Sequence, residues 1–203
     1  MQRVNTMLRY IATGLIGLLI FQQGLAQPKM SASRNKAMIE RGRWMVNLGG
    51  CNDCHTPKIF GPKGPILDTT RLLSGAPASA KLPEIPQGVI APDKWGALTT
   101  NDLTTWAGPW GVSFTRNLTP DVSTGLGSWT EAIFIKAIRT GKDMGEGRDI
   151  LPPMPWEFYA KLSDGDLKSI FAYLKSLPPI ENAVPDPISP AGERLPTLHK
   201  PKN

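Results

Sequence analysis

Cys51, Cys54 and His55 stand as a single C-x-x-C-H in a chain of 203 residues that holds two cysteines and two histidines in all. Two thiols one helical turn apart can each add across a vinyl group of one porphyrin, and the imidazole that follows them then faces the metal. The spacing therefore predicts covalent attachment of one c-type haem, with His55 as an iron ligand. Two other uses of the same residues fit less well. A thioredoxin-like dithiol follows a strand in a βαβ unit, whereas here a helical pattern precedes the motif and a Pro/Gly-rich stretch follows it. A structural zinc takes four ligands, and beyond the motif the only thiolate or imidazole is His199, close to a Pro-rich end.

An iron held by His55 on one face needs its other face explained, and the residues after the motif that could reach it are Met144, Met154 and His199. Met154 lies in Leu151-Pro152-Pro153-Met154-Pro155-Trp156, where three prolines fix φ, so a thioether presented from this loop loses little entropy on ligation. Met144 lies in a polar, glycine-rich loop and His199 in a tail, which makes Met154 the preferred ligand. Iron with two protein ligands has no open position for substrate. The expected role is thus transfer of single electrons rather than catalysis, with His/Met ligation raising the reduction potential. Were the methionine absent or displaceable, the alternative would be a haem-based ligand sensor or a peroxidase-like enzyme.

Three helical segments position these groups. From about Ser33 to Leu48, the residues Met38, Ile39, Met45, Val46 and Leu48 form an apolar face that runs into the motif, interrupted by Gly42, which costs about 1 kcal/mol relative to Ala. A glycine there points to a second backbone passing close, with Trp44 and Tyr173 as candidates to pack around the crossing. A second helix is expected from about Trp129 to Thr140, with Ser128 as N-cap, Glu131 completing a capping box and Gly141 ending it. Its stripe is Ile133, Phe134, Ala137 and Ile138. A third is expected from about Asp164 to Leu177, capped by Ser163 and stopped by Pro178-Pro179, with Leu167, Ile170, Phe171 and Leu174 along one side. The stretch 57–116 reads as a long loop-rich insertion carrying Trp95, Trp106 and Trp110, with a short helix near Asn101 to Trp106. It would either cover the haem edge or dock a redox partner.

At the front, Arg3 and Arg9 precede an apolar run from Tyr10 to Phe21, and Gly24-Leu25-Ala26 offers small residues for cleavage before Gln27. Residues 1–26 are read as a signal peptide for export to the periplasm, leaving a membrane-anchored form if the leader is kept. Residues 27–34 are read as a linker and 183–203 as a Pro-rich, poorly ordered tail. Removing residues 1–26 takes away two arginines and no acids, so the formal charge falls from +6 to +4. This mild positive charge could steer the protein to an acidic partner, but it is not the basic stripe of a nucleic-acid binder.

Beyond the haem motif, Asn117-Leu118-Thr119-Pro120-Asp121, Thr124-Gly125-Leu126-Gly127-x-Trp129, Pro153-Met154-Pro155 and Leu162-Ser163-Asp164-x-Asp166-Leu167 appear in order. Together these resemble a class I cytochrome c, and more closely the cytochrome domains of bacterial dehydrogenase-associated cytochrome c subunits. The similarity runs over about residues 35–182. It implies an all-α cytochrome c fold around one haem, thioethers at Cys51 and Cys54, axial ligands at His55 and Met154, and dehydrogenase or oxidase proteins as redox partners. Those subunits carry several haems, whereas this chain has one motif.

Overall fold

A computed structural model describes residues 31–196. The leader, the first half of the linker and His199 lie outside the described residues. Helix α1 (Ala32–Leu48) leads through a Gly49-Gly50 turn into the short helix α2 (Cys51–His55) that carries the haem motif. After a stretch containing five strands come α3 (Glu131–Thr140), α4 (Trp156–Tyr159) and α5 (Asp164–Ser176). Val46 of α1, Phe134 and Ala137 of α3, and Leu167, Ile170, Phe171 and Leu174 of α5 form the core together with Leu73, Leu126 and Trp129. Phe134 and Phe171 stack across it with ring centroids 5.2 Å apart.

The expected contact at Gly42 is present. A Cβ on Gly42 would lie 1.9 Å from the Ser169 carbonyl oxygen and 2.8 Å from Tyr173 Cβ, so α1 and α5 touch backbone to backbone. Tyr173 packs at that crossing, but Trp44 does not. Its side chain is 59% exposed, and Val46 takes the inward position instead.

The three long helices lie close to their expected ranges, with one change of cap. Ser163 accepts from Asp166 N at the start of α5, and Gly141, with φ of 64°, ends α3. At the start of α3, however, Thr130 rather than Ser128 is the N-cap, accepting from Ile133 N at 3.2 Å. The helix begins two residues later than expected, which leaves Trp129 outside it and places its ring in the core.

The all-α expectation is corrected: the fold is mixed α/β. Strands β1 (Lys58–Gly61) and β2 (Gly64–Leu67) form an antiparallel hairpin, and β3 (Leu98–Thr99), β4 (Thr105–Gly108) and β5 (Gly111–Phe114) form an antiparallel meander. These strands are two to four residues long, too short for alternation of apolar and polar residues to show. What betrays them is the turn chemistry. Both tight hairpins close on the same pattern, Gly61-Pro62-Lys63-Gly64 and Gly108-Pro109-Trp110-Gly111, with the paired glycines facing each other across the turn.

The short helix expected near Asn101 to Trp106 is absent. Asp102 instead accepts from Thr100 Oγ1 at 2.6 Å and from Thr104 Oγ1 at 2.8 Å, holding a turn that delivers the β-branched Thr105 into β4. Part of the segment expected to be poorly ordered is also tied down. Ile188 exchanges two backbone hydrogen bonds with Val112 of β5, at 2.8 and 2.9 Å, adding a further extended segment beside the meander. Among the described residues, no helix is long and apolar enough to cross a membrane.

Candidate functional site

Cys51, Cys54, His55 and Met154 all line one cavity of about 690 Å³ with largely apolar walls. That volume lies within the range of about 300–1,000 Å³ usual for small-molecule and cofactor sites. Met144 instead packs against the hydrophobic core. The geometry thus gathers the motif and the preferred methionine, which stand about a hundred residues apart in sequence, around one space.

Each side of the cavity is anchored. On the motif side, His55 Nδ1 lies 2.8 Å from the carbonyl oxygen of Arg116. A ring nitrogen that donates to a carbonyl carries the proton, which leaves Nε2 with a free lone pair for a metal. Burial lowers the His55 pKa, the hydrogen bond to the Arg116 carbonyl offsets part of this, and the neighbouring cations Arg116 and Lys58 lower it further, which favours the neutral imidazole. The backbone around it is fixed by His55 O accepting from Gly75 N at 2.8 Å, and by the fully buried Thr56, whose Oγ1 donates to Asn52 Oδ1 and accepts from Leu73 N, both at 2.8 Å. Burial raises the thiol of Cys51 to about 11 and also raises that of Cys54, so both thiols are protonated at neutral pH. They remain unpaired with each other.

On the methionine side, the loop runs into α4, and Tyr159 donates from its hydroxyl to Gly49 O at 2.6 Å. The helix that follows the methionine loop is thereby clasped to the turn that precedes Cys51. The insertion closes a further wall with Trp106, Phe114, Thr115 and Arg116, while Trp44, Leu48 and Phe158 stand exposed at the rim. Trp106 is held by its own Nε1, which donates to Leu103 O at 2.9 Å; Trp95, in contrast, is exposed.

No family profile matches the chain. The chain is 30% identical over 158 residues, 78% of its length, to a nicotinate dehydrogenase subunit of Pseudomonas putida. It is 28% identical over 153 residues to the gluconate 2-dehydrogenase cytochrome c subunit of Pantoea cypripedii, and 28% over 186 residues, 89% of the chain, to the cytochrome c subunit of alcohol dehydrogenase (quinone) of Gluconobacter oxydans. The chain is a relative of bacterial dehydrogenase-associated cytochrome c subunits. It spans 10%, 26% and 30% of the lengths of these three relatives respectively.

This cytochrome c relative also carries cavity residues that its motifs do not announce. Arg116 lies with its guanidinium 4.9 Å from the Trp129 ring and donates to Asp143, a carboxylate only 3% exposed. Arg148 lines the same cavity. Desolvation lowers the pKa of both arginines, partly offset by Asp143. Both guanidinium groups thus lie near the buried Asp143, and Asp186 also acts on Arg148. The Nε atoms of Arg116 and Arg148 and the hydroxyl of Thr115 are buried with no hydrogen-bond partner among the described residues. Native structures rarely leave such donors unmet, so this wall is built for an acceptor that the polypeptide itself does not provide. The only sequence signal was the presence of arginines within otherwise apolar or glycine-rich stretches, which does not separate them from surface charges.

Proposed function

We propose that this chain is a periplasmic monohaem c-type cytochrome that passes single electrons between redox proteins. When bound, the haem supplies the one-electron couple of its iron; the chain supplies attachment, axial ligation, burial and charge balance. Cys51 and Cys54 each form a thioether by adding their S–H across a vinyl group. His55, kept neutral by burial and oriented by its hydrogen bond to the Arg116 carbonyl, would offer Nε2 to the iron. Met154 would offer its sulfur as the second ligand from a loop stiffened by three prolines. The unmet donors on Arg116 and Arg148 suit the two propionates, which would accept from these buried guanidinium groups. With both ligands bound the iron would have no vacancy for substrate, and the apolar cavity would favour the less charged ferrous form.

The observation that carries this reading is the convergence of Cys51, Cys54, His55 and Met154 on a single cavity. Export rests on the leader read from residues 1–26. The relatives, which are dehydrogenase subunits, support a dehydrogenase as a redox partner of this chain. The test is optical. The ferric protein should show the near-infrared sulfur-to-iron band, and the ferrous protein should keep its low-spin spectrum under carbon monoxide. Ready carbon monoxide binding would instead favour a sensor or peroxidase-like enzyme.

A further inference from the structure

The proline tract that presents Met154 has little backbone with which to hold itself in place. Pro152, Pro153 and Pro155 have no N–H, and among the described residues the one hydrogen bond from residues 151–155 to a distant segment is accepted by the Pro152 carbonyl. Its donor is the Ser113 hydroxyl, at 2.6 Å, reaching across from β5. Behind Ser113, Trp110 Nε1 donates to the same hydroxyl oxygen at 3.3 Å, which directs the serine proton toward Pro152. Ser113 is 8% exposed, so water competes poorly for the carbonyl. The strand that carries it is itself pinned by the neighbouring Val112, paired in both directions with Ile188.

We infer that Ser113, oriented by Trp110, is a positioning residue for the methionine ligand: the insertion between the haem motif and α3 holds the Pro152 carbonyl, and through it sets how readily Met154 leaves the iron. The inference rests on the ligation proposed above. A tract whose prolines fix φ behaves as a short rigid lever, so restraint at Pro152 is transmitted to the residue two positions on. Losing the hydroxyl frees the lever at one end and raises the population in which the sulfur is away from the metal. A buried neutral hydrogen bond has a net worth that corresponds to about a fivefold change in such an equilibrium.

The test is exogenous imidazole binding to the ferric, haem-loaded full chain, read by the Soret shift, together with the near-infrared sulfur-to-iron band. An outside ligand that enters only when Met154 is off gains apparent affinity in proportion to that population. Ser113→Ala should bind imidazole about fivefold tighter while the band persists, and Ser113→Thr, which keeps the hydroxyl, should restore the wild-type affinity. Ser169→Ala serves as a control, because that hydroxyl bonds Gly165 O within α5, away from the loop, and should leave imidazole affinity unchanged. Should Ser113→Ala fail to fold, Trp110→Phe removes only the donor behind the serine and should tighten imidazole binding by a smaller factor. A wild-type protein that shows the band, with Ser113→Ala or Trp110→Phe binding imidazole no better than wild type, overturns the positioning role alone. A wild-type protein without the band overturns the ligation reading and this inference with it.

Discussion

Replacing Gly42 with alanine sets two physical effects against each other at the point where α1 meets α5. Considered as an isolated helix residue, alanine is favoured over glycine by about 1 kcal/mol. In the folded protein, the added methyl carbon would lie 1.9 Å from the Ser169 carbonyl oxygen, 2.5 Å from its carbon and 2.8 Å from Tyr173 Cβ. The first two are backbone atoms in the middle of α5, so no side-chain rotation relieves them, and the helices must separate by roughly 1 Å or more. Such overpacking costs about 1–3 kcal/mol and occasionally more. The cost here falls at the upper end, because separation also loosens the contacts of Val46 and Ile170 on either side of the crossing. The net effect is a loss of about 2 kcal/mol, which in a domain of this size lowers the thermal midpoint by about 4–8 °C. Thermal unfolding of the ferric protein followed by far-ultraviolet circular dichroism reads it directly. A Gly42→Ala protein that melts at the wild-type temperature or above would mean that helix propensity governs the position and that the close crossing is wrong.

Further outcomes follow from the same geometry. Met154→Ala should abolish the near-infrared sulfur-to-iron band and admit carbon monoxide to the ferrous protein, while Met144→Ala, altering a residue packed on the core, should keep the band; the opposite pattern would move the ligand to Met144. Thr130→Ala should cost about 1 kcal/mol by removing the cap of α3, measurable by denaturant unfolding, and an unchanged midpoint would refute that cap. Asp121 is held below the usual carboxylate range, chiefly by the Thr124 hydroxyl and further by the Thr124 and Ser123 amides. A depressed folded-state pKa gives stability that is present above the unfolded value and lost as pH falls through the folded value. The stability gap between wild type and Asp121→Asn should therefore be full near neutral pH and close below about pH 4, whereas a gap that widens on acidification would reverse the sign of the argument.

The helices and the haem motif were legible because their signals are local. Ser163 with Asp166, Gly141 as a C-cap and stripes such as Leu167-Ile170-Phe171-Leu174 need no knowledge of distant residues. Gly42 was legible for a related reason, since a glycine inside an apolar helical face makes sense only if another backbone fills the space. The strands were not, because pairing over two to four residues leaves too few side chains to alternate, and density of Pro and Gly reads as loop until the repeated Gly-Pro-x-Gly turns are noticed. The Ser128 cap failed because two neighbouring hydroxyl residues compete for one helix start, and burial of Trp129 decides in favour of Thr130. At the site, Cys51, Cys54, His55 and Met154 carry recognisable chemistry, whereas Arg116, Arg148 and Ser113 acquire meaning only when folding turns them toward the same cavity.

The most direct measurement is intact mass together with a reduced-minus-oxidised spectrum of the protein exported from cells able to mature c-type haem. The expected result is a polypeptide heavier by one covalently held porphyrin that acid and organic solvent do not extract, with the sharp bands of a low-spin ferrous haem. A colourless protein of unmodified mass, or a haem that extracts freely, would contradict it.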